Sequence, residues 1–432
     1  MGDINRNKKE NDIRILIIGP YDFVHSNATS ITLASLFSGL NKRNIAFINT
    51  SSVLICDYPS IHLEPRFFNQ SKIDKVKVFK KISKNRSLVS GQITFNGKSF
   101  KKKILQYFHT LLSSYRSLLP FHYTKEVDTF IDEFKPDLIY SLLGRVCIMN
   151  FCLKVSKKKN IPIVPHFMDD WYGVQFAHNI LLFPARLILL RSINRIMNKV
   201  PMGLTISQKM EKEYTKIFSI PFRALMNSVD IPVFKEYKKD TEKLVLSYAG
   251  GLHLDRGSSL YFLCKVLSKI NKKITLNIYT SEENWEKYFT LFSEFEFVCY
   301  GGFHDHNIIM EKLNKSDILI HVESFSNEVK DYTRLSISTK IPEYLALQKT
   351  IIAVGPDDVA SIEYLKDNKC AFIISELDLN KSVAKLKHLS DNVQVDFYKN
   401  NAIKLFEKNH YLNNQQALLY KTFQEAIKDF KR

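Results

Sequence analysis

The sequence predicts an α/β protein of two tandem, doubly wound Rossmann-like domains, with a C-terminal helical segment returning toward the first. Three observations point there. Short, continuously apolar runs recur along the chain, which is how strands buried on both faces of a parallel sheet read. Segments with apolar residues at helical spacing alternate with them, giving βαβ units. A charged, Pro-bearing stretch over 231–243 then interrupts the alternation before it restarts, as an interdomain linker would. With 432 residues there is chain enough for two cores. The implied boundaries are 1–235, 236–400 and a helical tail over 401–432.

In order, the apolar run before Gly19-Pro20 predicts a strand over 14–19. Ile31, Ala34, Leu36 and Leu40 predict a helix over 29–40, and a strand follows over 45–49. Residues 60–125 are basic and poorly periodic, and read as an insertion holding an amphipathic helix over 103–119. Alternation resumes with helices over 127–134, 146–156 and 179–199 and strands over 137–140, 161–164 and 203–206. The second series predicts strands over 244–249, 274–278, 295–300, 318–322, 351–354 and 371–374, with helices over 258–270, 307–315, 338–347 and 360–366. Apolar residues from Leu405 to Phe430 predict one or two closing amphipathic helices. In this architecture a ligand sits at the carboxyl ends of the strands and in the cleft between domains.

Composition narrows the function. At 45 % hydrophobic and 25 % charged residues, disorder is excluded. The six cysteines show no C-x-x-C pair or ligand-like His spacing, which argues against a disulfide framework or zinc site and fits a reducing cytoplasm. The start lacks a signal-peptide pattern. Pro184, Arg186, Arg191 and Arg195 break the apolar stretch over 179–201, so it is not expected to span a membrane. The net charge of +18 is uneven: residues 1–230 carry 34 Lys and Arg against 17 Asp and Glu. Within them, residues 66–103 hold 12 basic residues and one acid, Asp74. Residues 66–119 and 179–199 mix cations with apolar side chains and are expected to meet an anionic membrane surface. That places the protein in the cytoplasm, at the inner face of the cell membrane. The aromatics of 66–103 are too irregularly spaced for base stacking, so nucleic acid is not the expected partner.

Two loops carry candidate chemistry. Gly250 and Gly251 end a strand and permit close backbone approach, the helix after Gly257 offers its amino end, and Arg256 can pair with phosphate. His253 stands in the same loop. Further on, Ser338, Thr339 and Lys340 open a helix containing Pro342, beside Arg334, with Glu343 one turn in, where it could accept sugar hydroxyls. In the first half, His166, Asp169 and Asp170 follow a strand, and Asp169 and His166 are the candidates to orient an acceptor hydroxyl or stabilise developing positive charge. Gly19, Asn27 and Thr29 are expected to face the same cleft and bind the acceptor.

Together these motifs resemble the nucleotide-sugar half of a GT-B glycosyltransferase, most like the large retaining family four. Gly250, Gly251, Arg256 and Gly257 match the family's Gly-rich turn with its downstream cation, and Glu343 through Pro356 match its glutamate helix and following strand. The Gly19 turn, Lys135 to Tyr140, Leu204 to Gln208 and Asn227 to Asp230 resemble its acceptor domain and domain junction. The resemblance implies a donor diphosphate against Arg256 and Lys340, with Glu343 on the ribose, and a sugar passed to a lipid-linked or growing cell-surface glycan. It departs at Leu335, where the family usually carries a glutamate eight positions before Glu343; Ser336 or Glu328 are neighbouring substitutes. With no Asp-x-Asp triplet the metal-bridged diphosphate of the GT-A class has no candidate ligands, so no metal or cofactor is expected. The rival readings are a nucleotide-sugar epimerase or hydrolase of the same fold, a degenerate inactive subunit, and a non-catalytic polyanion binder.

Overall fold

The computed structural model describes residues 13–21, 23, 28–50, 57–63, 110–229, 243–270, 273–390 and 392–431. Asn27, the basic run over 66–103 and the charged linker over 231–243 lie outside or almost wholly outside these.

Two parallel sheets form the scaffold. The first contains β1 (Ile15–Gly19), β2 (Ile45–Asn49), β3 (Ser60–His62), β4 (Leu138–Ser141), β5 (Ile163–Phe167), β6 (Gly203–Thr205) and β7 (Phe222–Ala224), in the order 3-2-1-4-5-6-7. The second contains β8 (Leu244–Ala249), β9 (Ile274–Tyr279), β10 (Val298–Tyr300), β11 (Ile318–Val322), β12 (Thr350–Val354) and β13 (Phe372–Ile374), in the order 10-9-8-11-12-13. The central strands β1, β2, β4, β5, β11 and β12 are buried throughout, which is why they read as unbroken apolar runs. In both sheets strand order reverses beside the first strand, at β1/β4 and at β8/β11, and side chains at those carboxyl ends are free to converge on a ligand.

The helices over the first sheet are α1 (Ala28–Phe37), α2 (Lys125–Phe134), α3 (Val146–Lys159), α4 (Trp171–Val174), α5 (Phe183–Met197) and α6 (Gln208–Phe218). Those of the second half are α7 (Arg256–Leu267), α8 (Glu282–Phe292), α9 (His306–Asn314), α10 (Asn327–Thr333), α11 (Lys340–Ala346), α12 (Ala360–Asp367) and α13 (Leu379–Leu386), followed by α14 (Asn392–Asn409) and α15 (Leu412–Phe430). Three expectations shift. The helix expected over 179–199 starts as a 3-10 turn (Ile180–Leu182), and α5 begins beside Pro184, which fits only a first helical turn. The helix expected from 338 begins at Lys340, with Thr339 at the cap position and Ser338 only 3.4 Å from the Lys340 amide. The strand expected over 295–300 keeps only its last three residues. The expected tail return is observed: Phe423 of α15 is fully buried against Phe37 and Tyr140, and Glu425 pairs with Arg223.

Candidate active site

On the second domain, the β8/β11 reversal brings two sequence-distant groups together. Arg256, the first residue of α7, lies 3.2 Å from Glu323, which directly follows β11. His321 stands 3.2 Å from the same carboxylate, and Ser259 Oγ donates to the Glu323 carbonyl at 2.8 Å. Burial alone would raise the Glu323 carboxyl; the Arg256 guanidinium and His321 overcome it and hold it at about 2. The preceding loop is tightly folded. Leu254 and Asp255 both adopt left-handed backbone, and a Cβ on Gly251 would lie 2.2 Å from His253 Nδ1, so glycine lets the His253 ring fold back over the turn.

Glu343 occupies the first turn of α11 and is buried between Lys340 Nζ at 3.0 Å and the His306 ring, whose Nε2 lies at 3.1 Å. Burial opposes its ionisation, but His306 and Lys340 keep its carboxyl below the usual range. Both depressed carboxylates give the same linkage sign. Their stabilisation is present above their ordinary value of 4.5 and is lost as pH falls below it, for Glu323 toward about 2. Urea midpoints are therefore expected to fall between pH 5 and pH 3, less so in a Glu323→Gln variant; equal falls in both proteins would exclude Glu323 as a contributor.

On the first domain, the β1/β4 reversal opens a cavity of about 220 Å³ lined by Pro20 and Tyr21 after β1, Thr29 of α1, Leu142, Gly144 and Arg145 after β4, and Met168, Asp169 and Trp171 after β5. Gly19 does not line it but directly precedes Pro20, with φ +153°, and an added Cβ would strike the Tyr21 ring at 2.0 Å. Burial raises the Asp169 carboxyl, with Ser336 at 3.4 Å opposing the rise. The cavity thus unites Asp169 and Thr29 with Pro20 and Tyr21, the two residues after Gly19. It does not include His166. That side chain is fully buried, its Nδ1 2.7 Å from Tyr140 OH, and burial lowers its pKa to about 3. His166 belongs to the packed core, which corrects its expected contact with substrate. The residue that sequence reasoning missed here is Arg145, whose guanidinium has no ion-pair partner among the described residues.

The two sites are joined by three consecutive residues of the second domain. Arg334 forks onto Glu213 (Nη1 to Oε2, 2.7 Å) and reaches Asp170 at 3.0 Å. Leu335 is fully buried among the core residues of the first domain, and its carbonyl accepts from Ser207 Oγ at 2.6 Å. Ser336 faces Asp169. The position where the family usually carries an acid is thus an apolar peg. Of the two neighbouring substitutes, Ser336 is engaged by Asp169 and Glu328 is exposed. Leu335→Glu is expected to cost about 4 kcal/mol or more by burying an unpaired carboxylate, read from urea unfolding; unchanged stability would refute the peg.

Neither a scan of protein-family models nor a search of curated proteins gives a match. Solved structures do. Anabaena HepE in complex with UDP is similar at TM-score 0.62 and 11 % identity, covering 96 % of this chain and 100 % of that one. A glycosyltransferase from Rickettsia africae is similar at TM-score 0.57 and 12 % identity, covering 96 % and 99 %. The lipopolysaccharide outer core galactosyltransferase WaaB, in its apo form, is similar at TM-score 0.55 and 12 % identity, covering 96 % and 99 %. Two tandem parallel sheets, reversal sites at both, and a closing helix that crosses back give this chain the GT-B glycosyltransferase fold.

Proposed function

We propose that this chain is a glycosyltransferase that moves a sugar, with retention of configuration, from a nucleoside diphosphate donor on the second domain to a glycan or lipid-linked acceptor at the cavity of the first. The observation carrying this reading is Arg256 at the start of α7, beside Glu323 at the β8/β11 reversal. A guanidinium at a helix amino end suits a departing diphosphate, because both act on charge that grows as the sugar bond breaks. The fit of HepE, described with UDP, and of WaaB, described as a galactosyltransferase, supports it.

In this reading Arg256 and the first amides of α7 hold the diphosphate. Lys340 adds a second cation, and Glu343, fixed by His306 and Lys340, accepts from the ribose hydroxyls. Asp169 orients the acceptor hydroxyl within the cavity. Cations and amides carry the leaving-group charge, so transfer is expected to persist in EDTA.

The test is a transfer assay with labelled nucleotide sugars and a glycolipid extract as acceptor, with the anomeric outcome read by NMR. Label in glycan is expected, and Glu343→Gln should raise the donor KM roughly tenfold while kcat changes less, since uniform binding is what it removes. Release of free or epimerised sugar alone would overturn transfer in favour of a hydrolase or epimerase. Salt-sensitive polyanion binding without nucleotide affinity would overturn the enzyme reading altogether.

A further inference from the structure

Among the described residues of the first domain, a run of exposed apolar side chains lies outside both sites. Ile180, Leu181 and Phe183 stand 88 %, 51 % and 58 % exposed at the 3-10 turn and the start of α5, and Leu187 and Ile188 continue the exposed face one turn on. Tyr115 OH donates to the Leu181 carbonyl at 2.7 Å, which brings up the helical residues 110–116 and exposed Leu112, one turn from Tyr115. Arg191 and Arg195 extend the same exposed face of α5, and Lys199 follows it. No Asp or Glu occurs anywhere from residue 171 to 210. An apolar ridge flanked by cations, with no acid in forty residues of chain, matches a surface that is apolar within and anionic at its boundary.

We propose that Ile180, Leu181, Phe183, Leu187 and Ile188 insert shallowly into an anionic lipid bilayer, with Arg191, Arg195 and Lys199 at the headgroups. Among the described residues no helix is long and apolar enough to cross a membrane. The ridge is also tied to the acceptor cavity. Arg186, on the inner side of α5, donates to the carbonyls of Tyr172 and, at 3.0 Å, Gln175, which fixes α4 against α5. Trp171 of α4 and the adjoining Asp169 line that cavity. Docking the ridge therefore holds the cavity within a few turns of helix of the lipid surface, where a lipid-linked acceptor presents its sugar. The surface stands on its own residues and goes beyond the donor reading.

Its test is co-sedimentation of the full chain with phosphatidylcholine vesicles, with and without about one-third phosphatidylglycerol. Wild-type protein is expected to bind only the anionic vesicles. Ile180→Ser/Phe183→Ser/Ile188→Ser should weaken binding roughly tenfold or more, and Arg191→Ser/Arg195→Ser roughly fivefold per charge. Wild-type binding by the apolar triple variant would overturn the proposal and assign adsorption to another basic segment. No wild-type binding, with a change in oligomeric size in the triple variant, would overturn it in favour of a second copy of the chain. Should the triple variant melt early, Phe183→Trp gives an independent reading: the difference between its emission and that of the wild type, which carries Trp171 and Trp285, shifts to the blue on adding anionic vesicles if the ridge inserts, and an unshifted difference spectrum overturns insertion. Nucleotide is absent from these measurements, so their failure and that of the donor site are separable.

Discussion

Arg256→Ala is expected to lower transfer by about 10²–10³-fold, the size of effect seen when a preorganised charge-stabilising group is removed from a reaction centre. The substitution does a second thing. Glu323 is only 3 % exposed and would lose the guanidinium at 3.2 Å, keeping the His321 ring as its remaining side-chain partner among the described residues. An uncompensated buried carboxylate costs about 3 kcal/mol, so the single variant should also melt early. The double variant Arg256→Ala/Glu323→Gln separates the two effects. It should recover much of the stability and none of the transfer. Recovery of transfer with stability would mean that Arg256 only neutralises Glu323 and touches no substrate.

Arg334→Ala should lower kcat by about 10–100-fold while leaving nucleotide affinity nearly unchanged, because in the proposed function the guanidinium lies outside the donor loop and ties down the acceptor cavity. It holds Asp170, the residue beside Asp169, from the opposite domain. Asp170 would retain Tyr214 OH at 2.8 Å and the Gly173 amide at 3.1 Å, so the stability cost is expected to be about 2 kcal/mol rather than that of a bare buried charge. Arg334→Lys should rescue little, since one ammonium cannot serve both Glu213 and Asp170 in the forked geometry. A variant with normal kcat but lowered melting temperature would reduce Arg334 to a structural tie.

Much of the fold is legible in the sequence where burial is complete. Strands such as β11 and β12 are buried on both faces, and their unbroken apolar runs leave no other assignment. Strands β3 and β7 escape because each is three residues long and only partly buried. Helix α6 escapes for a different reason: its buried residues are Met210 and Tyr214 alone, set among Lys and Glu, and its start is fixed by the Ser207 side chain accepting from the Met210 amide. On the second domain, Arg256 and Glu343, the proposed donor-binding residues, stand in local motifs that the sequence displays. Glu323 does not, although an acid directly after an expected strand is a signal that strand-end reasoning could have used. His166 shows the converse error. Its neighbours Asp169 and Asp170 lie past the strand end, but His166 is within β5, and pairing with Tyr140 turns it into the core. The peg made by Leu335 depends on how two domains meet, which no local pattern encodes.

The central claim is a donor site built on Arg256, and thermal unfolding with UDP, GDP, ADP and CMP in the presence of EDTA tests it most directly. One nucleoside diphosphate is predicted to raise the melting temperature of the wild-type protein by roughly 3 °C at about a hundred times its Kd, and to raise that of Arg256→Ala/Glu323→Gln far less. Folded wild-type protein that none of the four stabilises, or equal stabilisation of the double variant, would contradict it.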